Sequence, residues 1–201
     1  MIVISNPIPI ENEIQTIHSL FEEGLMLFHI RKPNFSEDEM KALLSEIGLE
    51  FRSRLVLHSQ HQLAGEFGIN RIHFSENERQ NKPDRFKKPV GLKKTVLSTS
   101  VHSITAFNAL KNEFEYAFLS PIYTSISKLD YFSEVNHLEE IKKRTNFSTK
   151  LIALGGITSE NIQKTMRFGF DDVALLGTIW NNNNPIENFK LCQQVAHSHS
   201  L

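Results

Sequence analysis

The sequence repeats one pattern in Leu151-Ile-Ala-Leu-Gly-Gly-Ile-Thr-Ser-Glu-Asn161 and in Phe168-Gly-Phe-Asp-Asp-Val-Ala-Leu-Leu-Gly-Thr-Ile-Trp180: a short apolar run that ends in glycine. Each run has the length of a buried strand, and glycine lets the backbone turn tightly and approach a ligand closely. Between the runs, Thr158 or Ser159 is expected to cap a helix that continues to about Phe168 and is ended by Gly169. The order of strand, helix and strand predicts two neighbouring strands of a parallel sheet.

The ends of these two strands indicate a phosphate site. Gly155-Gly156 follows the first strand, and Gly177-Thr178 follows the second. Adjacent parallel strands that end in small residues leave backbone N–H groups free at one rim, and a nearby helix N-terminus favours an anion there. In (β/α)8 barrels, the loops after strands seven and eight are the usual phosphate cradle. We therefore predict that these four residues bind a phosphate group.

The rest of the chain continues the alternation of strands and helices. Further strands are predicted at residues 2–5, 25–30, 54–57, 71–74, 95–99 and 116–119. Helices are predicted at residues 11–23, 104–110, 138–145 and 185–196. Another is predicted from the Ser36–Glu39 capping box to Gly48, and a short one between the strand at 54–57 and about residue 67. Residues 75–94 contain Pro83, Pro89 and many charges, so a loop is predicted there.

Eight strands that alternate with helices predict an α/β fold, a single-domain (β/α)8 TIM barrel over residues 1–201. A doubly wound open sheet is the alternative. That fold requires a glycine-rich fingerprint after the first strand, where this chain has Pro7-Ile-Pro9.

Composition bounds the class of protein. The chain has 201 residues, a formal charge of -1 and one cysteine, Cys192. The charge gives no global attraction to nucleic acid or to anionic lipid, and one cysteine excludes an internal disulfide framework. No apolar run has the length of a membrane span. We expect a cytoplasmic protein with small phosphorylated substrates, without nucleic-acid or membrane partners, and the sequence leaves a homo-oligomer open.

Four segments carry a resemblance to a known family. They are Phe28-His-Ile-Arg-Lys-Pro33, Leu97-Ser-Thr-Ser-Val-His-Ser103, Tyr116-Ala-Phe-Leu-Ser-Pro-Ile-Tyr-Thr-Ser-Ile-Ser-Lys128 and Ala153-Leu-Gly-Gly-Ile157. In order and spacing the chain resembles the thiamine phosphate synthase family, which includes the TenI-type thiazole tautomerases. The resemblance implies a (β/α)8 barrel that joins an aminopyrimidine methyl pyrophosphate to a thiazole phosphate and releases pyrophosphate with the help of Mg²⁺.

The resemblance also implies roles for individual residues. Arg31 and Lys128 would hold the leaving pyrophosphate, whose charge grows as the C–O bond breaks. Further substrate contacts would come from Ser100, Ser125 and Ser127, and the thiazole phosphate would lie on Gly155, Gly156, Gly177 and Thr178. His29 and His58 are predicted to bind substrate from their positions at the ends of strands two and three, without a family match.

This sequence departs from the family pattern in the pyrophosphate and metal half of the site. The synthases carry lysine where this chain has Pro33, and Asn-Asp where it has His58-Ser59. Their acidic run after strand four is Ser75-Glu-Asn-Glu78 here, which makes Glu78, or else Glu76, the candidate magnesium ligand. The loop histidine of the tautomerases is Pro121. We therefore expect weak magnesium binding to the free protein.

Four histidines are predicted at the carboxyl ends of strands two to five: His29, His58, His73 and His102. They fit either a divalent-metal or acid/base cluster or hydrogen-bonded core residues, and His58 and His102 are the functional candidates.

The sequence leaves three hypotheses for the function. The first is the synthase reaction, the second is a TenI-like isomerisation in which His102 moves a proton, and the third is a silent binder of thiazole or thiamine phosphate.

Overall fold

The computed structural model describes residues 1–81, 95–124 and 135–198, which form a closed barrel of eight parallel strands. The strands are β1 (Ile2–Ile4), β2 (Leu27–Ile30), β3 (Leu55–Leu57), β4 (Arg71–Phe74), β5 (Val96–Val101), β6 (Phe114–Leu119), β7 (Lys150–Leu154) and β8 (Asp172–Leu175). Each strand pairs with the next one along the chain, and β8 pairs with β1 to close the barrel. The (β/α)8 prediction is confirmed.

Helices follow the strands on the outside of the barrel. They are α1 (Glu13–Glu22), α2 (Glu37–Glu46), α3 (Leu63–Glu66), α4 (Glu76–Asn81), α5 (Ile104–Asn108), α6 (His137–Glu140), α7 (Ile162–Arg167), α8 (Gly177–Trp180) and α9 (Pro185–His197), with 3₁₀ turns at Leu49–Arg54 and Ile141–Lys143. None of the helices in the described ranges is long and apolar enough to cross a membrane.

The strands bury side chains on both faces, as expected of a parallel sheet covered by helices. The larger apolar cluster fills the space between the sheet and the helices. A smaller one lies inside the barrel and consists of Ile2, Ile4, Tyr116, Phe118, Ile152 and Ala174. Because side chains alternate across a strand, inward positions near the carboxyl ends reach one shared site.

Helix α4 corrects the loop predicted for residues 75–94. Ser75 and Glu78 form a reciprocal cap: the Ser75 N–H and hydroxyl donate to Glu78 Oε2 at 2.9 and 2.7 Å, and the Glu78 N–H donates back to Ser75 Oγ at 3.3 Å. The same arrangement begins α2, where Ser36 and Glu39 confirm the predicted capping box. The loop prediction was wrong for residues 76–81, and residues 82–94 lie outside the described ranges.

The predicted start of α7 is also corrected. This helix begins at Ile162 rather than after Thr158 or Ser159. Asn161 holds the preceding turn, because its Oδ1 accepts from the Thr158 N–H at 3.0 Å and its Nδ2 donates to the Gly156 carbonyl at 2.8 Å. The segment between Gly156 and the helix is therefore a turn built around one asparagine side chain.

Candidate functional site

A cavity of about 330 Å³ opens at the carboxyl ends of the strands. Each strand or the segment just after it contributes at least one lining residue: Ile4, Arg31, His58, His73, Ser100, Phe118, Leu154 and Ala174. This volume is in the range of small-molecule sites, and this face of a (β/α)8 barrel is where catalytic residues lie. Two sides of the cavity differ in construction: one contains the glycines after β7 and β8, and the other contains the histidines on β2 and β4 and just after β3.

The glycine side is built from backbone. Gly155 and Gly156 have φ of 101° and 64°, in the left-handed region. A Cβ added to Gly155 would lie 2.9 Å from Pro121 Cα, and one added to Gly156 would lie 2.7 Å from Tyr123 Cβ. The Tyr123 N–H also donates to the Gly155 carbonyl at 3.1 Å. The glycines are therefore required by the loop after β6 as well as by any ligand.

This side also has free donors. Within residues 1–81, 95–124 and 135–198, the backbone N–H groups of Gly155, Gly156 and Gly177 donate no hydrogen bond. Thr178 is buried, and its hydroxyl donates to the Ile157 carbonyl. The structure thus brings the four residues of the predicted phosphate cradle to one part of the cavity. Their unused N–H groups are suited to phosphate oxygens.

Trp180 is the last residue of helix α8, which begins at Gly177 on the glycine side of the cavity. Its indole Nε1 donates to the carbonyl of Ile4, a cavity-lining residue, at 2.6 Å. Its ring meets Phe28 edge-on with 6.3 Å between the ring centroids. These contacts join the β8 end of the barrel to β1 and β2.

Two consecutive cations at the end of β2 have different environments. Arg31 lines the cavity, and among the described residues its guanidinium makes no hydrogen bond or salt bridge. Lys32 is buried, with its Nζ 2.7 Å from both carboxylate oxygens of Glu13 and 3.1 Å from the Ile8 carbonyl. Burial lowers the pKa of Lys32 and raises that of Glu13. Lys32 is therefore structural, and Arg31 is the cation available to an anionic ligand.

His102 forms a polar group with helix α4 at the mouth of the cavity. Its Nδ1 lies 2.5 Å from Glu76 Oε2, while the other oxygen of Glu76 accepts from Arg79 Nη2 at 3.2 Å. The His102 side chain is 53% exposed. A carboxylate that fixes one imidazole nitrogen leaves the other to exchange protons with a ligand.

The histidine side of the cavity is built from side chains. The potential ligand atoms of His29, His58 and His73 all lie within 4.8 Å of one another. His29 Nδ1 is 2.8 Å from His58 Nε2, and His29 Nε2 is 2.7 Å from the Tyr116 hydroxyl. His29 is completely buried, whereas His58 is part-buried and lines the cavity.

His73 connects the same cluster to β5. Its Nδ1 lies 2.9 Å from Ser98 Oγ and its Nε2 lies 2.9 Å from Ser100 Oγ. The ring stacks on that of His58, with 4.2 Å between the centroids and 21° between the planes. Ser100, a predicted substrate contact, thus also hydrogen-bonds a buried imidazole at the cavity wall.

The three imidazoles are neutral at neutral pH, mainly because they are buried. Burial lowers the pKa of His29 and of His58 well below the ordinary value, and that of His73 to about 3. Nearby charges act in the same direction: Arg71 on His29, and Arg31 on His58 and His73. A cluster of uncharged rings can donate and accept hydrogen bonds or ligate a metal.

The remaining predicted site residues are Glu78, its alternative Glu76, and three residues that the structure does not describe. Glu78 is not among the residues that line this cavity, and its carboxylate caps α4. Ser125, Ser127 and Lys128 fall outside the described ranges, so their roles stay predictions. Glu76, only an alternative metal ligand in the sequence, is the carboxylate at the cavity.

Sequence reasoning missed Tyr116 and Ser98 as partners of the histidines. The available signal was the two-residue alternation, which places Ser98 on the same face of β5 as Ser100, and Tyr116 on the same face of β6 as Phe118. That alternation gives the face of each strand. Which neighbour a side chain meets also depends on the register between strands.

Comparison with known proteins gives similarities over most of the chain. The family model described as thiamine monophosphate synthase matches residues 1–179. A thiamine-phosphate synthase of Prochlorococcus marinus is 23% identical over 192 residues, which cover 93% of this chain and 54% of that protein. A thiamine-phosphate synthase of Clostridium tetani is 26% identical over 161 residues, covering 78% of this chain and 75% of that protein. The chain thus spans about half the length of the first relative and three quarters of the second.

A solved structure gives the same similarity. The crystal structure of a thiamine phosphate pyrophosphorylase from Bacteroides thetaiotaomicron has a TM-score of 0.76 and 28% sequence identity. The similarity covers 98% of this chain and 97% of that one.

Proposed function

Because this chain belongs to the thiamine monophosphate synthase family, we propose that it joins an aminopyrimidine methyl pyrophosphate to a thiazole phosphate and releases pyrophosphate. One observation carries the proposal: the N–H groups of Gly155, Gly156 and Gly177 line the same cavity as the guanidinium of Arg31, and none of them has a hydrogen-bond acceptor within the part of the chain that the structure describes. The glycine N–H groups are suited to the phosphate of the thiazole substrate, which stays bound, and Arg31 is suited to the pyrophosphate, which leaves.

The transfer requires charge stabilisation more than acid or base chemistry. A bond forms from the thiazole ring nitrogen to the methylene carbon while the bond from that carbon to the pyrophosphate oxygen breaks. Negative charge accumulates on the departing pyrophosphate, and a bidentate guanidinium is well suited to two phosphate oxygens. Arg31 is assigned this role, and Lys128 is expected to share it.

The rim glycines would orient the second substrate. Phosphate oxygens held by backbone N–H groups fix the thiazole phosphate at one end, so that its ring nitrogen faces the methylene carbon. Such positioning lowers the barrier because it removes the entropy cost of bringing two substrates together. Ser100, on β5 and lining the same cavity, is proposed to donate to a phosphate oxygen.

The described residues are poorly suited to the magnesium ion that the family resemblance implies. Mg²⁺ requires oxygen ligands in an octahedral arrangement. Among the described residues that line the cavity, Glu76 is the one carboxylate, and both its oxygens already bind His102 and Arg79. Glu78 is engaged in the cap of α4. No step of the proposed transfer is therefore assigned to a metal held by these residues.

The two relatives from Prochlorococcus marinus and Clostridium tetani are named synthases, which favours the transfer over a tautomerase or a silent binder. The test is an assay with both substrates and magnesium salt in solution, in which thiamine phosphate is oxidised to fluorescent thiochrome. We expect turnover by the unchanged chain and a loss of about 10²–10³-fold in Arg31→Ala, the scale for one transition-state donor. Arg167→Ala, on the exposed face of α7, is the matched control.

Two outcomes would contradict the proposal. Equal turnover in Arg31→Ala would remove Arg31 from the leaving-group site. Absence of product from folded protein that still binds thiazole phosphate in a calorimeter would exclude the transfer and favour the isomerisation in which His102 moves a proton.

A further inference from the structure

We propose that His29, His58 and His73 form a binding site for a divalent transition-metal ion of the zinc class, with one coordination position open to the cavity. The proposal rests on the approach of three imidazoles inside the barrel, and it is independent of the transfer reaction proposed above. It also differs in ligand chemistry from a magnesium site, because imidazole nitrogen suits zinc, copper, iron and nickel, whereas Mg²⁺ selects oxygen.

The distances are close to those of a three-histidine site. The candidate ligand atoms lie within 4.8 Å of one another, and His29 Nδ1 and His58 Nε2 are 2.8 Å apart. In a tetrahedral zinc site with Zn–N distances of about 2.0–2.1 Å, two ligand nitrogens are roughly 3.3 Å apart. The metal would take the place of the hydrogen between His29 and His58, whose proton moves to the other nitrogen of the ring that carries it, and the two ligand nitrogens would separate by about half an ångström.

One ring has to turn for the three nitrogens to converge. His58 stacks on His73 with nearly parallel planes, so their in-plane lone pairs do not yet point to one position. His58 is also the member of the cluster that is not fully buried and that faces the cavity. It can turn into the open volume while His29 and His73 keep their positions.

Hydrogen bonds already hold the two buried rings in the orientation that metal ligands need. His29 Nε2 is fixed by the Tyr116 hydroxyl, which leaves Nδ1 for a metal. His73 Nδ1 is fixed by Ser98, which leaves Nε2, now bonded to Ser100, to face the cavity. Ligating histidines almost always have their second nitrogen held in this way. The metal would take the place of the bond to Ser100.

The surroundings suit an ion that also binds a ligand. The rings are neutral, so their lone pairs are available without loss of a proton. Arg31 and Ser100 line the same cavity, which means that the open coordination position faces groups suited to anions. Water or a phosphate oxygen is the expected fourth ligand, as in zinc sites that keep one position open.

The test is a metal titration of the full chain after treatment with a chelator, without substrates. We expect one equivalent of Zn²⁺ to be taken from a chromophoric competitor, and Co²⁺ to give the visible absorption bands of a low-coordinate nitrogen site. His29→Gln and His58→Gln should each lower the affinity by more than the roughly 10–100-fold that loss of a supporting hydrogen bond costs. His18→Gln, on α1, is the histidine control and should bind like the unchanged chain.

A second variant keeps the test decisive if a ligand variant does not fold. Tyr116→Phe retains all three imidazoles and removes only the hydroxyl that holds His29, so we expect about 10–100-fold weaker zinc binding. Absence of stoichiometric binding in the unchanged chain, or equal affinity in His29→Gln, His58→Gln and His18→Gln, would overturn the proposal. Turnover without zinc binding would refute this site alone, and zinc binding without turnover would refute only the transfer.

Discussion

The glycine side and the histidine side of the cavity are built by opposite means. On the glycine side, Gly155, Gly156 and Gly177 line the cavity with backbone groups, and the loop after β6 leaves no room for a side chain at Gly155 or Gly156. On the histidine side, three imidazoles are positioned by Tyr116, Ser98 and Ser100. The first construction depends on backbone conformation, and the second depends on protonation state. The two sides should therefore respond to different perturbations.

The largest expected difference is in the response to acid. His29, His58 and His73 have folded-state pKa values lowered by burial, with Arg31, Arg71 and His61 adding to the shift. Below about pH 6.5 the unfolded chain binds protons at these residues and the folded chain does not, so stability is present above that pH and is lost as the pH falls. Between pH 7.5 and 5, His73, with its pKa of about 3, should cost about 2 kcal/mol of unfolding free energy in metal-free protein, and His29 and His58 should add to the loss in the same direction.

Urea unfolding across this pH range measures the effect. The total loss should exceed the roughly 2 kcal/mol expected of His73 alone, because His29 and His58 shift in the same direction. His58→Gln should reduce the slope, because one of the three groups no longer titrates. A free energy that stays level from pH 7.5 to 5 would mean that the rings become charged in the folded protein.

A smaller effect is expected from a methyl group on the glycine side. Gly156→Ala combines a positive φ with a Cβ only 2.7 Å from Tyr123 Cβ, so we expect a loss of about 2–4 kcal/mol of unfolding free energy. Gly68→Ala is the matched control. Gly68 has a φ of 65° with no atom within 4 Å of an added Cβ, so conformational strain of about 1–2 kcal/mol is expected alone.

Denaturant unfolding of the two variants separates strain from crowding. Equal losses would show that the loop after β6 moves away from Gly156 easily. In either case the pH slope should stay that of the unchanged chain, because neither variant alters the histidine side.

The smallest expected signal is magnesium binding to the free protein. Glu76 is already paired with His102 and Arg79, and the adjacent imidazoles are poor ligands for Mg²⁺. Calorimetric titration without pyrophosphate should give heats close to those of dilution. A tight magnesium site in that titration would contradict this assignment of the residues around the cavity, whereas binding seen only with pyrophosphate would agree with it.

The fold was predictable because its signals are local. Strand β4 was predicted at Arg71–Phe74, where the structure has it, since a buried parallel strand is a short apolar run between polar residues. Helix α4 was missed although Ser75-Glu-Asn-Glu78 has the same capping pattern as Ser36-Glu-Asp-Glu39. The prolines and charged residues that follow this capping pattern favoured a loop, although the pattern itself correctly indicated the start of a helix.

The candidate site was predictable in part. Gly155, Gly156, Gly177 and Thr178 could be found because glycine at the end of a buried strand indicates a tight turn or a close approach of the backbone to a ligand. The histidines could be placed at the rim from strand position, but their partners could not. Tyr116 on β6 meets His29 on β2 across the barrel interior, and the two residues are 87 positions apart in sequence. Such pairs depend on barrel closure, which no local pattern encodes.

Trp180 is the single tryptophan of the chain, and it lies two residues beyond Thr178 with its indole bonded to the Ile4 carbonyl. The wavelength and intensity of the tryptophan fluorescence therefore report on one known location beside the glycine side of the cavity. A ligand that settles on that rim changes the electric field and solvent around this one fluorophore. The molecule thus contains its own optical reporter, and binding to the phosphate side can be followed in unlabelled protein.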